Sequence, residues 1–235
     1  MNAISFIGFG QLGRTVAENL RLPSMSLRRV WDIVISDSAR PASLNARQLG
    51  ITPSPSAAES ACAADLIISA VTPAQGLAAE AVASAIMPGS WIPDINSAAP
   101  EQKRAGAGVI EKSGGRYVEA AVRSPIQPLR PAAPIVLGGP RAAAFIDCVK
   151  PLGFTGTQAH STSTGAAAAA KLCRSIVITG IEAMMSESLL TARARGVESE
   201  VLTSLANVLP SGAWEVLASC MIEQALIHGE RQGKR

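Results

Sequence analysis

The segment Ile4-Ser5-Phe6-Ile7-Gly8-Phe9-Gly10-Gln11-Leu12-Gly13 constrains everything that follows it. A short apolar run ends in Gly-x-Gly-x-x-Gly, and apolar residues then recur at helical spacing at Leu12, Val16, Ala17 and Leu20. That order predicts a strand, a tight turn and a helix. Gly8 permits the turn, Gly10 lets backbone approach a pyrophosphate, and Gly13 lets the helix lie against the strand. The N–H groups at the helix start would face the anion. A glycine-rich turn in some other α/β protein is the alternative. The position between strand and helix favours a dinucleotide, NAD or NADP, held by Gly8, Phe9, Gly10, Gln11, Leu12 and Gly13.

A second buried strand is expected over Val30 to Ser36, with Asp37 at its end. An acid near this position accepts hydrogen bonds from the adenosine ribose and repels a 2′-phosphate, which tips the expectation toward NAD. Arg40 could instead hold that phosphate, and Asp37 could be an ordinary strand-end cap. Further along, Leu44 to Leu49 and Ser56 to Ala64 read as helical, with a brief strand starting near Gly50-Ile51-Thr52. Asp65 to Val71 is a continuous apolar run suited to a sheet covered on both faces. It ends at Val71-Thr72-Pro73, on the carboxyl edge where ligands sit in open α/β sheets.

A helix from about Gln75 to Ile86, a strand at Trp91 to Ile95 and a helix to about Ser113 continue the alternation. Strands at Tyr117 to Val122 and Ala133 to Leu137 flank a proline-rich loop, Arg123 to Pro131. A helix, Pro140 to Val149, and a short strand near Phe154 complete a Rossmann-type, doubly wound and mostly parallel α/β domain. Thr164 to Arg195 carries no proline and predicts one long helix, with Ala170, Cys173, Val177, Ile181, Met184, Met185 and Leu189 along its apolar side. Met184, Met185 and Leu189 are expected in the core. Two shorter helices follow, Val197 to Leu209 and Gly212 to His228. The expected domains are residues 1–160, binding NAD(P), and 161–235, all-α and opening on the long helix.

The chain has 235 residues, of which 48% are apolar and 17% charged, with a net charge of +3. Those values describe a globular chain large enough for one big or two smaller domains. They leave no basic face for nucleic acid, since the only Lys/Arg cluster is the terminal Arg231 to Arg235. No apolar run reaches the ~20 residues of a membrane span. The cysteines (Cys62, Cys148, Cys173, Cys220) stand singly, without metal-ligand spacing, and read as small buried residues in a reducing, cytoplasmic compartment. No metal site is expected.

Lys171 sits among small residues in Gly165-Ala-Ala-Ala-Ala-Ala-Lys171-Leu172-Cys173-Arg174-Ser175. Ser175 follows one turn later on the same face. Small residues let such a helix approach the sheet edge, where a partly desolvated lysine can serve as general acid or base. A surface lysine on an amphipathic helix is the plain alternative.

Taken together these pieces resemble the β-hydroxyacid dehydrogenase family, which includes 3-hydroxyisobutyrate and 6-phosphogluconate dehydrogenases. Ile7 to Gly13 with Ala17-Glu18-Asn19-Leu20 is similar to its glycine signature. Asp94-Ile95-Asn96-Ser97 is similar to its segment contacting substrate and nicotinamide, and Val118 to Val122 with Gly138-Gly139 to its next block. Ala170-Lys171-Leu172 is similar to the helix bearing its catalytic lysine. The second half, with Gly180-Ile181-Glu182-Ala183 and Glu187, resembles a branch whose C-terminal domain is phosphogluconate-dehydrogenase-like.

The resemblance implies an NAD(P)-dependent oxidoreductase acting on a small hydroxy acid or its keto form. Lys171 would be catalytic, Asn96, Ser97, Arg123, Ser124 and Ser175 would hold substrate, and the assembly would be a homodimer. Three departures stand out. Ser175 replaces the usual asparagine, Arg123-Ser124-Pro125 replaces the usual Ser-Gly-Gly, and the chain ends at Arg235, so the C-terminal domain looks truncated. His160 reads as a cap or surface residue, while His228-Gly229-Glu230-Arg231 is similar to a segment of that branch that could contact substrate. Two other readings stay open. One is an imine reductase resembling pyrroline-5-carboxylate reductases, which share a Val-x-Pro turn. The other is a non-catalytic nucleotide-binding protein.

Overall fold

From β1 (Ala3–Ile7) the chain passes directly into α1 (Gln11–Asn19), which buries Gly13, Thr15, Val16 and Ala17 against the sheet. The computed structural model describes residues 1–21, 27–71, 78–123 and 133–208. The alternation continues as β2 (Leu27–Trp31), α2 (Pro41–Gln48), β3 (Thr52–Pro53), α3 (Ala57–Ala61), β4 (Leu66–Ser69) and α4 (Ala78–Ala83). Then come β5 (Trp91–Asp94), α5 (Pro100–Lys112), β6 (Arg116–Val122), β7 (Ile135–Gly138), α6 (Ala142–Val149) and β8 (Thr157–Ser161). Two helices follow, α7 (Ala166–Ala194) and α8 (Glu198–Val208).

The strands form one eight-stranded sheet in the order β3-β2-β1-β4-β5-β6-β7-β8. Strands β1 to β6 pair in parallel, β7 runs antiparallel to β6, and β8 runs parallel to β7. The pleat explains the continuous apolar run of β4. Leu66 and Ile68 face one core with Phe6, Val118 and Phe145, and Ile67 faces the other with Ile92, Ile110 and Tyr117. A strand covered on both faces needs apolar residues at every position. Each large apolar side chain so buried contributes about 1.5–3 kcal/mol, and these two layers hold the sheet edge on which the site is built.

The chain divides into two compact units, Met1–Leu172 and Cys173–Arg235. The first turns of α7, Lys171 included, belong to the first unit. In the second, Met185 and Leu189 pack with Ile181, Val201, Leu202 and Leu205, joining α7 to α8. Gly196 ends α7 at a positive φ of 71°, where a Cβ would be strained.

Several sequence expectations are corrected. Strand β2 ends at Trp31, not Ser36. The apolar residues beyond it form a turn in which Ile35 N donates to Asp32 O at 3.0 Å, and Ile35 reaches the main core from that turn. Asp37 therefore does not close a strand. The strand expected near Phe154 begins at Thr157, and Phe154 is instead a buried residue just after a short 3₁₀ turn, Lys150–Leu152. Met184 is exposed although Met185 and Leu189 are buried, and Val177 is exposed too. Helical spacing marked a stripe wider than the face that packs. Cys62 and Cys173 are exposed and Cys148 half-buried, because each lies on a helix or turn that meets solvent. His160 is exposed on β8. The expected helix Gly212 to His228 and Cys220 lie outside the described residues.

Candidate active site

The glycine turn separates what the fold requires from what a ligand requires. Gly8 has φ +92°, and a Cβ there would strike the carbonyl oxygen of Ala70. A Cβ on Gly13 would strike the carbonyl oxygen of Gly8. A Cβ on Gly10 would meet nothing within 4 Å. The space before Gly10 is clear, and no side chain caps the start of α1 there. A cavity of about 570 Å³ opens at this point, with Phe9, Gly10, Arg14, Asp32 and Arg40 in its wall. An uncapped helix N-terminus facing open space fits a pyrophosphate. Gln11 and Leu12 occupy the first turn of the same helix.

The acid that closes β2 is Asp32, nineteen residues after Gly13. Its Oδ2 accepts from Phe9 N at 2.7 Å and its Oδ1 from Val34 N at 3.1 Å. The carboxylate is thereby fixed between the glycine turn and the cavity. Asp37 instead forms an exposed pair with Arg40, at 3.2 Å. Sequence reasoning passed over Asp32 because Ile33, Val34 and Ile35 prolong the apolar run beyond it, although its spacing from Gly13 was the available signal.

The second half of the site lies at the carboxyl ends of β4 and β5. Asn96 Nδ2 donates to Ser69 Oγ at 2.9 Å, and Asn96 N donates to Asp94 Oδ1 at 3.0 Å. Asn96 Oδ1 is buried with no hydrogen-bond partner among the described residues. A buried acceptor left open is uncommon and suits a ligand donor. A cavity of about 650 Å³ adjoins, with Ser69, Val71, Asp94, Asn96 and Tyr117 in its wall. Across 74 positions of sequence, Lys171 Nζ donates to Ser97 Oγ at 2.7 Å. Burial lowers the Lys171 pKa from the ordinary lysine range, and the charge of Lys103 lowers it further. Fold thus brings Asn96, Ser97 and Lys171 together.

The helix that carries Lys171 is anchored by Glu119, a β6 residue with 0% exposure. Its Oε2 accepts from Gly165 N and its Oε1 from Ala168 N, both at 2.6 Å. A carboxylate at a helix N-terminus satisfies orphan donors and meets the positive end of the dipole. Gly138 stands opposite Glu119 in the β6–β7 register, and a Cβ there would collide with the carboxylate. This anchor was invisible in sequence, where Glu119 appears only as one member of a family block.

Arg123 directly follows β6, its N donating to Pro134 O at 3.1 Å. Ser175 stands four residues past Lys171 on α7. Ser124, Thr72, Pro73 and His228 lie outside the described residues. Among the described residues, no group of His, Cys, Asp and Glu could hold a metal ion, and no helix is long and apolar enough to cross a membrane.

A mostly parallel sheet, a glycine turn and an acid closing β2 define a dinucleotide-binding domain of Rossmann type. The family model for the NAD-binding domain of 6-phosphogluconate dehydrogenase matches residues 3–152, and the chain belongs to that family. Among solved structures, a conserved hypothetical protein from Sinorhizobium meliloti 1021 is 30% identical, with a TM-score of 0.74 over 98% of this chain and 78% of that one. Mycobacterium tuberculosis 3-hydroxyisobutyrate dehydrogenase with L-serine is 20% identical, with a TM-score of 0.72 over 91% and 72%. An imine reductase from Streptomyces aurantiacus is 20% identical, with a TM-score of 0.72 over 92% and 75%. The last two share the fold. A comparison with curated proteins gives no match.

Proposed function

We propose that the protein transfers a hydride between a bound nicotinamide dinucleotide and a small hydroxy acid or its keto form, with Lys171 as general acid and base. The observation that carries this reading is the 2.7 Å hydrogen bond from Lys171 Nζ to Ser97 Oγ. It holds a partly desolvated lysine at the carboxyl edge of the sheet, beside the open acceptor Asn96 Oδ1. The nicotinamide, when bound, supplies or accepts the hydride. Lys171 takes the hydroxyl proton in oxidation and returns it in reduction. Asn96 and Ser97 orient the hydroxyl, with Ser175 one turn beyond Lys171, and Arg123 and Ser124 receive the substrate carboxylate. Val71, Thr72 and Pro73 would flank the nicotinamide at the end of β4.

NAD is the cofactor this reading favours. Asp32 presents a fixed carboxylate at the end of β2, an arrangement that would accept from a ribose hydroxyl and repel a 2′-phosphate, and the exposed Arg40 pairs with Asp37. Calorimetric titration is expected to give at least about tenfold tighter binding of NADH than NADPH, roughly 1.4 kcal/mol. Asp32→Ser is expected to close that gap, and an unchanged preference would remove Asp32 from the account. The same protein is then assayed on panels of hydroxy acids and cyclic imines. Hydroxy-acid oxidation supports the proposal, imine turnover alone supports the imine reductase reading, and binding without turnover supports a nucleotide-binding role.

The assembly that accompanies this reading is a homodimer. Ile176 and Met184, 74% and 66% exposed, leave apolar surface on α7 that a second copy would cover. Sedimentation is expected to give twice the chain mass. Ile176→Glu should shift it to the monomer, and a monomeric native protein would exclude the assembly.

A further inference from the structure

Beside Lys171 the first unit holds a second lysine for which the proposed reaction has no use. Lys103, on α5, is 1% exposed. Its Nζ lies 2.9 Å from Asp94 Oδ1 and donates to the Asp94 carbonyl oxygen at 2.9 Å. Tyr117 Oη donates to Asp94 Oδ2 at 2.7 Å, and Asn96 N occupies Oδ1 as well. Three elements therefore converge on one carboxylate, two residues before Asn96. A buried ion pair is weak evidence for stability, since well-packed apolar residues often serve as well or better. The location of this pair suggests another use.

We propose that Lys103 is a positioning residue for the reaction: locked onto Asp94, it fixes the Asn96–Ser97 corner and sets a positive charge that acts on Lys171. The proposal rests on the reading of Lys171 as the proton carrier. Through the corner, Lys103 acts by geometry. Asp94 holds Asn96 N, the next residue is Ser97, and Ser97 Oγ receives Lys171. Through its charge, it acts by repulsion, because one ammonium disfavours another nearby and the second sheds its proton more readily. The direction found for Lys171 agrees, with burial the larger cause and Lys103 the second. Burial also lowers Lys103 itself, and Asp94 and Glu119 partly offset that.

The charged and titratable groups that face this corner from the surrounding elements are Asp94 at the end of β5, Glu80 on α4, Glu101, Lys103 and Arg104 on α5, and Tyr117, Glu119 and Arg123 on or just after β6. Arg174 follows on α7 itself. Glu119 is committed to the start of α7, and Glu101 pairs with Arg104 at 2.7 Å. Tyr117 is held in its neutral form by burial, then by the charge of Asp94. Of these groups, Lys103 is the fully buried cation.

The test is competitive acetylation of the full chain with trace acetic anhydride, read by mass spectrometry for each lysine as pH is varied, without cofactor. In the native protein, Lys171 is expected to react with a midpoint below those of the exposed Lys112 and Lys150. Lys103→Gln keeps a donor for Asp94 but removes the charge, and is expected to raise the Lys171 midpoint by about one pH unit. The acid limb of kcat/KM for oxidation should move up equally, and Lys103→Arg should restore both. A purely structural role would lower the amplitude without moving either midpoint, and that result overturns the proposal. So does a native Lys171 midpoint equal to that of Lys112, an arm needing no variant should Lys103→Gln fail to fold. Full turnover in Lys171→Ala would refute the proton-carrier reading separately, whatever the labelling gives.

Discussion

Lys171→Ala is expected to lower kcat for hydroxy-acid oxidation by about 10²–10⁴-fold, the range for loss of a positioned general base. Affinity for NADH should stay unchanged, because the glycine turn and Asp32 stand at the ends of β1 and β2, away from α7 in the chain. The pH dependence follows from the depressed pKa of Lys171. Oxidation needs the neutral amine, so its rate rises as pH climbs through the Lys171 pKa. Reduction needs the ammonium, so its rate falls over the same interval. Both limbs should lie below the ordinary lysine range, and both should vanish in Lys171→Ala. Stopped-flow measurement in each direction checks the pair. A variant that binds NADH normally and keeps the native rate would transfer the proton step to another group.

Glu119→Ala is expected to be the most damaging single change to the first unit. It removes a wholly buried carboxylate, strands the N–H groups of Gly165 and Ala168, and leaves a cavity. Breaking buried, charge-assisted hydrogen bonds of this kind costs about 3–5 kcal/mol. For a chain of this size that is a fall in Tm of roughly 6–20 °C. Thermal unfolding by circular dichroism measures it, and a change under about 1 kcal/mol would show that the anchor contributes little. Glu119→Gln is the informative companion. It retains shape and one acceptor, yet turns an amide toward a backbone donor, so activity should suffer beyond the loss of stability as α7 shifts Lys171 away from Ser97.

Much of the fold was readable because burial and pattern coincide. The β1–α1 junction, β4 and the proline-free α7 announce themselves through apolar periodicity and glycine placement. Reading failed where apolar residues are buried by something other than regular structure. Ile35 looks like strand but reaches the core from a turn, so Asp37 reads as the strand end when Asp32 is the acid that follows β2. Phe154 looks like strand and is a plug before an edge strand whose Gln158 and His160 face solvent. Polar residues misled in the opposite sense. Lys103, within Glu101-Gln102-Lys103-Arg104, reads as a solvated helix face, and only the packing of α5 on the sheet shows it enclosed. Ser97 and Lys171 could be suspected singly from sequence, but their hydrogen bond spans 74 positions and no local pattern encodes it.

The pairing of Gly138 with Glu119 bears on how this chain can drift through sequence space. A carboxylate large enough to reach α7 leaves no volume for a methyl group across the ladder. A side chain acquired at position 138 would first have to be matched by a shorter one at 119, which releases the helix. The two positions are therefore tied in inheritance, and gain of a side chain at 138 is closed while Glu119 keeps its present place.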